Sequence, residues 1–230
     1  MNKLFNIALL IATLNISAFA ETNSITAAID AGYTSSYLVN NLVQAKDAVV
    51  AGVSIGKTYA GVDYSITGQY LPLGSGTDSS HWGAGLGKSF NVIDGLTIRT
   101  DAGAIRHQTG QALIQNYTEV NARVALQNDV FTPYVKGIYN VELDQSGATV
   151  GIEKPFQLFG FNINPALEYT LLTDSKTYAA KLAVSRTIWR NLSAFAEADY
   201  IKNDFSASKY AFALKELDGA VGYGGLRWTF

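Results

Sequence analysis

Charged side chains recur at every second position through much of this 230-residue chain, and that spacing limits what chemistry they can do. Asp30, Asp63, Asp101, Glu119, Glu142, Glu153, Glu168, Glu197 and Asp199 stand against Arg99, Arg123, Lys136, Lys181 and Arg227. On an extended backbone alternate residues share a face, so the charges of each strand gather on one side of it. Two arrangements use such a face. The charges can line a hydrated path and bias which ions pass, or they can pair across a narrow interior. The surplus of acids gives a hydrated path a mild preference for cations.

Hydrolysis is the other chemistry to weigh. His81 follows Ser79-Ser80, and His107 lies beside Gln108 and Thr109. A Ser–His or Asp–His pair at a membrane surface can cut lipid or peptide bonds. A nucleophile, however, needs a base and an orienting third group in register. No stretch around either histidine has the form of such a motif, and the expectation is that no residue is catalytic. The chain has no cysteine, which removes disulfides, Cys-type zinc sites and lipid attachment through an N-terminal Cys. It also carries no phosphate-binding loop, metal cluster or haem motif, so neither metal nor cofactor is expected.

Strands must position these charges. In "YAGVDYSITGQY", Ala60, Val62, Tyr64, Ile66 and Tyr70 fall on one parity and Asp63, Ser65, Thr67 and Gln69 on the other. "LTIRTDAGA", "YTEVNARVAL", "FNINPALEYTL" and "LSAFAEADY" repeat the pattern. Counting such runs predicts about twelve strands, at 25–37, 46–57, 58–71, 81–92, 95–107, 115–127, 130–142, 146–156, 159–171, 176–188, 191–202 and 217–230. Ten or fourteen also fit the pattern. After even-numbered strands the predicted connections are tight: Gly56-Lys57-Thr58, Asn91 to Gly95, Gln127-Asn128-Asp129, Gln157 to Gly160 and Arg190-Asn191. After odd-numbered strands they are mostly longer, as in "LPLGSGTDSS", "RHQTGQALIQN" and "IKNDFSASKYAFALKEL". The last of these has Ser206 or Ser208 placed to cap a short helix through Ala211, Ala213, Leu214 and Lys215.

This asymmetry of connections is that of an all-β, antiparallel up-and-down transmembrane barrel. Aromatics on the apolar parity support it. Tyr70, Trp82, Tyr169, Tyr178 and Tyr200 lie beside the long connections, and Phe90, Phe131, Phe156, Phe161, Trp228 and Phe230 beside the short ones. Two such belts are expected where rings meet both membrane–water interfaces. Lys88 and Arg186 share that parity near the short turns, where a cation can snorkel. A soluble sandwich also alternates, but it would turn its largest apolar residues inward. Here the apolar face is thin, rich in Ala, Val and Gly.

Residues 1–20, "MNKLFNIALLIATLNISAFA", read as a secretory signal peptide ending on Ala18-Phe19-Ala20, followed by one barrel domain over 21–230. Without Lys3 the rest carries 16 basic and 19 acidic residues, a net charge of −3 that does not suit nucleic acid. No later apolar run is long enough for a membrane helix, so a membrane location requires a closed barrel. The expected place is a bacterial-type outer membrane, with both termini in the periplasm and membrane lipid as a partner.

The last strand, "GLRWTF", sets Leu226, Trp228 and Phe230 on one face. It resembles the C-terminal signature that outer-membrane barrels present to their assembly machinery, which implies that machinery as a partner. The opening, "AGYTSSYLVNNLVQAKDAVVAGVSI" then "TYAGVDYSI", resembles that of the TorF-family porins. Tyr37 and Gln44 fit that family's pattern, whereas Ser36, Asn40 and Asn41 stand where it has Asp, Arg and Gly. The resemblance covers about the first fifty residues after the leader and implies a porin-like barrel without a defined substrate. Together these readings point to passive passage of small hydrophilic solutes or ions. The alternative is a closed structural barrel acting through its outer loops, and a rim hydrolase is third.

Overall fold

The computed structural model describes residues 7–8, 25–39, 42–71, 78–108, 116–173, 175–204 and 219–230, the side chains of 7–8, 36–39 and 42–46 excepted. Twelve strands follow one another: β1 Ile25–Val39, β2 Leu42–Tyr59, β3 Val62–Leu71, β4 Ser79–Ile93, β5 Leu96–Gln108 and β6 Tyr117–Asn128. Then come β7 Thr132–Asn140, β8 Gln145–Glu153, β9 Phe161–Leu172, β10 Ser175–Trp189, β11 Leu192–Asp204 and β12 Gly219–Thr229. Each pairs antiparallel with the next, and β12 pairs back onto β1 from Tyr223↔Thr34 to Thr229↔Ala28. The circle is therefore closed: each of these twelve strands has a neighbour on both sides, so the barrel has no open edge among them. Phe230 adds a last bond, its N–H donating to the Ala27 carbonyl at 2.7 Å. One extra piece, Ile7–Ala8, runs parallel to Tyr37–Leu38 within the stretch read as a leader.

The tight turns explain themselves chemically. Between β2 and β3 the turn is Ala60-Gly61, both with positive φ (50° and 71°), as a two-residue hairpin with the twist of its strands requires. This corrects the expected turn at Gly56-Lys57-Thr58. Those residues continue β2 in register with Ser65, Tyr64 and Asp63, and the Gly that matters is the one in the left-handed position. Phe159-Gly160 repeats the geometry between β8 and β9 (51° and 78°). Before it, β8 breaks at Lys154-Pro155 and resumes as Phe156–Leu158 against Phe161–Ile163. Proline has no N–H to give the ladder there. The Asn128 side-chain carbonyl accepts from Val130 and Phe131 N–H groups (2.8 and 3.0 Å) and so shapes the β6–β7 turn.

A second correction concerns β7, expected to reach residue 142. It ends at Asn140, and Val141–Asp144 form a four-residue turn. Connections after odd-numbered strands are thus mixed: 72–78, 109–116 and 205–218 are long, whereas 40–41, 141–144 and 173–174 are short. The end of the barrel holding the long ones is called the loop end below, and the other the turn end. The helix expected around Ser206 to Lys215, like Asn40 and Asn41, lies outside the described residues.

Exposure alternates with residue parity along the strands. On β6, for example, Glu119, Asn121, Arg123 and Ala125 are buried, and Val120, Ala122, Val124 and Leu126 are exposed. The apolar set therefore faces out and the polar set in, the reverse of a soluble domain. The aromatics named above face outward at the two ends, Tyr169 half-buried and the others exposed. Outward cations at the turn end sit on rings: Lys57 over Tyr59 (5.8 Å), Lys88 over Phe90 (5.4 Å) and Arg186 over Phe161 (4.9 Å). A cation at mid-membrane costs about 2–4 kcal/mol on a barrel's lipid face, falling to about 0–1 near the interface, which explains why these lie at the rim.

Candidate functional site

Among the described residues, charge from many strands gathers in the interior. Thirteen of the fourteen charged positions singled out from the sequence face it; Glu142 does not. Glu142 sits in the 141–144 turn, where it accepts from the Thr118 N–H and pairs with Arg106. That backbone hydrogen bond, with the Arg106 and Thr118 side chains, holds its carboxyl below the ordinary value of 4.5 despite partial desolvation.

On one wall the charges interlock. Asp63 on β3 pairs with Arg99 on β5 at 3.0 Å, and the Arg99 Nε–H donates to Asp101 at 2.8 Å. Asp101 also meets Arg123 of β6 at 3.7 Å, and Arg123 holds Glu153 of β8 at 2.6 Å. The reach from β5 to β3 crosses β4 at Gly87, where a Cβ would stand 2.6 Å from the Arg99 guanidinium. The Arg123 guanidinium stacks over the Tyr134 ring at 4.2 Å, and the Tyr134 hydroxyl donates to Glu168. Lys181 closes the run on Glu168 at 2.6 Å. Acid and base thus alternate from β3 round to β10. A short branch near the loop end joins Glu119 to Lys136 (3.2 Å) and to the Asn121 amide (2.9 Å).

The opposite wall is built differently. Asp30 on β1 accepts from the Tyr223 hydroxyl (3.2 Å) and faces Arg227 at 3.5 Å. Arg227 lies over the Phe195 ring at 5.4 Å, and Phe195 packs on Tyr223 at 4.9 Å. Glu197 and Asp199 on β11 make no ion pair among the described residues. Toward the loop end Val50, Leu71, Tyr117, Ile201 and Val221 form a cluster of inward side chains exposed by 2% or less. Among the described residues, the inward charges number eight acids and five bases. A cavity of about 10 Å³, enough for one water, lies on the small-residue wall of Ser65, Thr67, Gly83, Gly103, Ile105 and Asn121.

The two histidines meet inside the barrel rather than at an open rim. Their rings are 4.4 Å apart edge to face, His107 stacks on Tyr117 at 4.3 Å, and its Nε2 is 4.0 Å from Glu119. The Ser80 hydroxyl donates to Gln108 at 2.9 Å. Contributors absent from the sequence reading are Tyr134, Tyr223 and Phe195. The parity rule marks all three as inward, since Tyr134 shares its face with Lys136, Phe195 with Glu197 and Tyr223 with Arg227. What no pattern shows is that Tyr134 fills the space Gly151 leaves free, bringing its hydroxyl to Glu168.

No protein-family model matches the chain, and none of the curated proteins matches it in sequence. Solved structures do resemble it. A KdgM porin superposes with a TM-score of 0.56 at 11% identity, covering 90% of this chain and 99% of the porin. The KdgM porin in complex with disordered oligogalacturonate gives 0.54 at 9% identity, with 90% and 99% covered. An outer membrane channel from Pseudomonas putida F1 gives 0.54 at 10% identity, with 89% and 93% covered. At such identities the likeness is one of fold: this chain has the closed antiparallel barrel of outer-membrane porins and channels.

Proposed function

We propose that the protein is an outer-membrane channel for passive diffusion of small hydrophilic solutes or ions, with a preference for cations. The carrying observation is the inward face, where a closed twelve-stranded wall turns charged and hydroxyl side chains away from lipid and toward a common axis. Diffusion down a gradient needs polar walls and an open path, with no covalent step. The surplus of inward acids sets the expected sign, opposite to what an acidic oligosaccharide would require. On this reading the fourteen charged residues divide into thirteen pore-lining positions and Glu142, which borders the loop end.

The same reading places the chain in the outer membrane with both termini in the periplasm, after removal of residues 1–20. Leu226, Trp228 and Phe230, all exposed on the outer face of the closing strand, then serve as the assembly signal. Kinship with the TorF-family porins also belongs to this reading; it is carried by Tyr37 and Gln44, whose side chains lie outside those described.

A second reading has a specific observation behind it. The interlocked ion pairs and the apolar cluster of Val50, Leu71, Tyr117, Ile201 and Val221 occupy interior volume and favour a closed barrel that works through its loop end. Single-channel recording of the refolded chain in a planar bilayer under a salt gradient separates the two. Discrete steps with a cation-selective reversal potential support the channel. A folded barrel that never conducts overturns it and leaves the closed barrel.

A further inference from the structure

Asp199 of β11 and Lys181 of β10 are register partners, facing the interior side by side. The Lys181 ammonium nevertheless goes to Glu168, at 2.6 Å. Asp199 is left 2% exposed with no hydrogen-bond partner on either carboxylate oxygen among the described residues. Glu197, two residues along the same face, adds a second carboxylate beside Tyr223. Three acids here share one ammonium. A buried carboxylate is costly unless N–H donors or positive charge reach it.

The neighbouring side chains show what form such donors take on this wall. Glu168 is satisfied by an ammonium, and Asp30 by a guanidinium that also lies over the Phe195 ring. The described residues hold no group of three or more metal-ligating side chains, which favours a hydrogen-bonding cation over a coordinated metal ion. The geometry points to Asp199 and Glu197 as a binding site for the protonated amine or guanidinium of a small solute, met during its passage through the barrel. The site rests on the channel reading for its physiological sense. An ammonium donates to Asp199 as Lys181 does to Glu168, and Glu197 holds a second positive group or part of the same one. Such charge-assisted bonds are roughly twice as strong as neutral ones, so the site discriminates against neutral solutes of equal length.

The test is isothermal titration of the refolded full chain in detergent with putrescine, using 1,4-butanediol as the neutral analogue. Saturable binding of putrescine alone is expected, weakened by about tenfold or more in Asp199→Asn, the loss of one charge-assisted contact. No saturable binding, or equal binding by Asp199→Asn, overturns the site. Should Asp199→Asn fail to fold, Glu197→Gln decides in its place: weakened binding supports the site and unchanged binding overturns it. Bilayer conductance of the same preparation keeps the two readings apart. A conducting barrel that ignores putrescine overturns only the amine site, and a silent barrel that binds it overturns only the channel.

Discussion

Asp101 and Asp199 are both aspartates turned into the same barrel, 4% and 2% exposed, yet the strands around them treat them in opposite ways. Asp101 stands between Arg99 at 2.8 Å and Arg123 at 3.7 Å, in a row where each base is shared by two acids. Asp199 has a lysine as its register partner and loses it to Glu168. Both sit on the inward parity of a strand, so alternation alone does not separate them. The difference comes from what the adjacent strands contribute: Gly87 lets long side chains cross β4, whereas Val221 and Ile201 bracket Asp199 with apolar surface. One wall is a framework whose charges hold each other. The other leaves a charge available.

The largest effect expected from this contrast is in the framework. Arg99→Met leaves Asp63 without its ion-pair partner and Asp101 with Arg123 alone, and breaking a buried pair from one side costs about 3–5 kcal/mol. Urea unfolding of the refolded barrel in lipid vesicles measures it. A loss of less than about 1 kcal/mol, as for exposed pairs, would mean that water already bathes this wall. Next is a shift of position rather than of charge. Arg123 is paired inside, and Val124→Arg places the same group one residue along, on the lipid face. The expected loss is about 2–4 kcal/mol if that position lies near the membrane midplane. No change in the unfolding midpoint would place Val124 outside the apolar core of the membrane.

Much of this was legible in the sequence, and the exceptions have physical causes. All twelve strands were locatable because each carries several alternations, and the aromatic ends of the lipid face were legible for the same reason. The β2–β3 turn was misplaced because Gly56 and Gly61 look alike in sequence; only the second adopts positive φ. Glu142 kept the inward parity of β7 on paper, but the strand stops at Asn140 and its parity ceases to mean anything there. Pairing was not legible. Which acid Lys181 takes depends on side chains of three neighbouring strands, and parity is a property of one strand at a time.

A smaller effect, of opposite sign to the framework's, is expected at Asp199. Asp199→Asn removes a buried charge that lacks a partner, and the barrel should gain on the order of 1–3 kcal/mol in the same urea assay. A loss instead would mean that a partner from elsewhere in the chain holds this carboxylate, and the contrast between the walls would collapse.

The smallest effect lies outside the barrel wall altogether. Glu142 is a turn residue in solvent, and its carboxyl is held below the ordinary 4.5 chiefly by the Thr118 N–H. A group whose folded value is depressed stabilises the fold above its unfolded value, and that contribution is lost as pH falls through the folded one. The expected result is a slightly lower thermal midpoint for Glu142→Gln at neutral pH, with the two proteins converging as pH falls through the depressed folded value. Surface screening keeps the gap small, in contrast to Arg99→Met. A gap as large as that of Arg99→Met would show that the loop end, rather than the interlocked wall, carries the barrel's electrostatic stability.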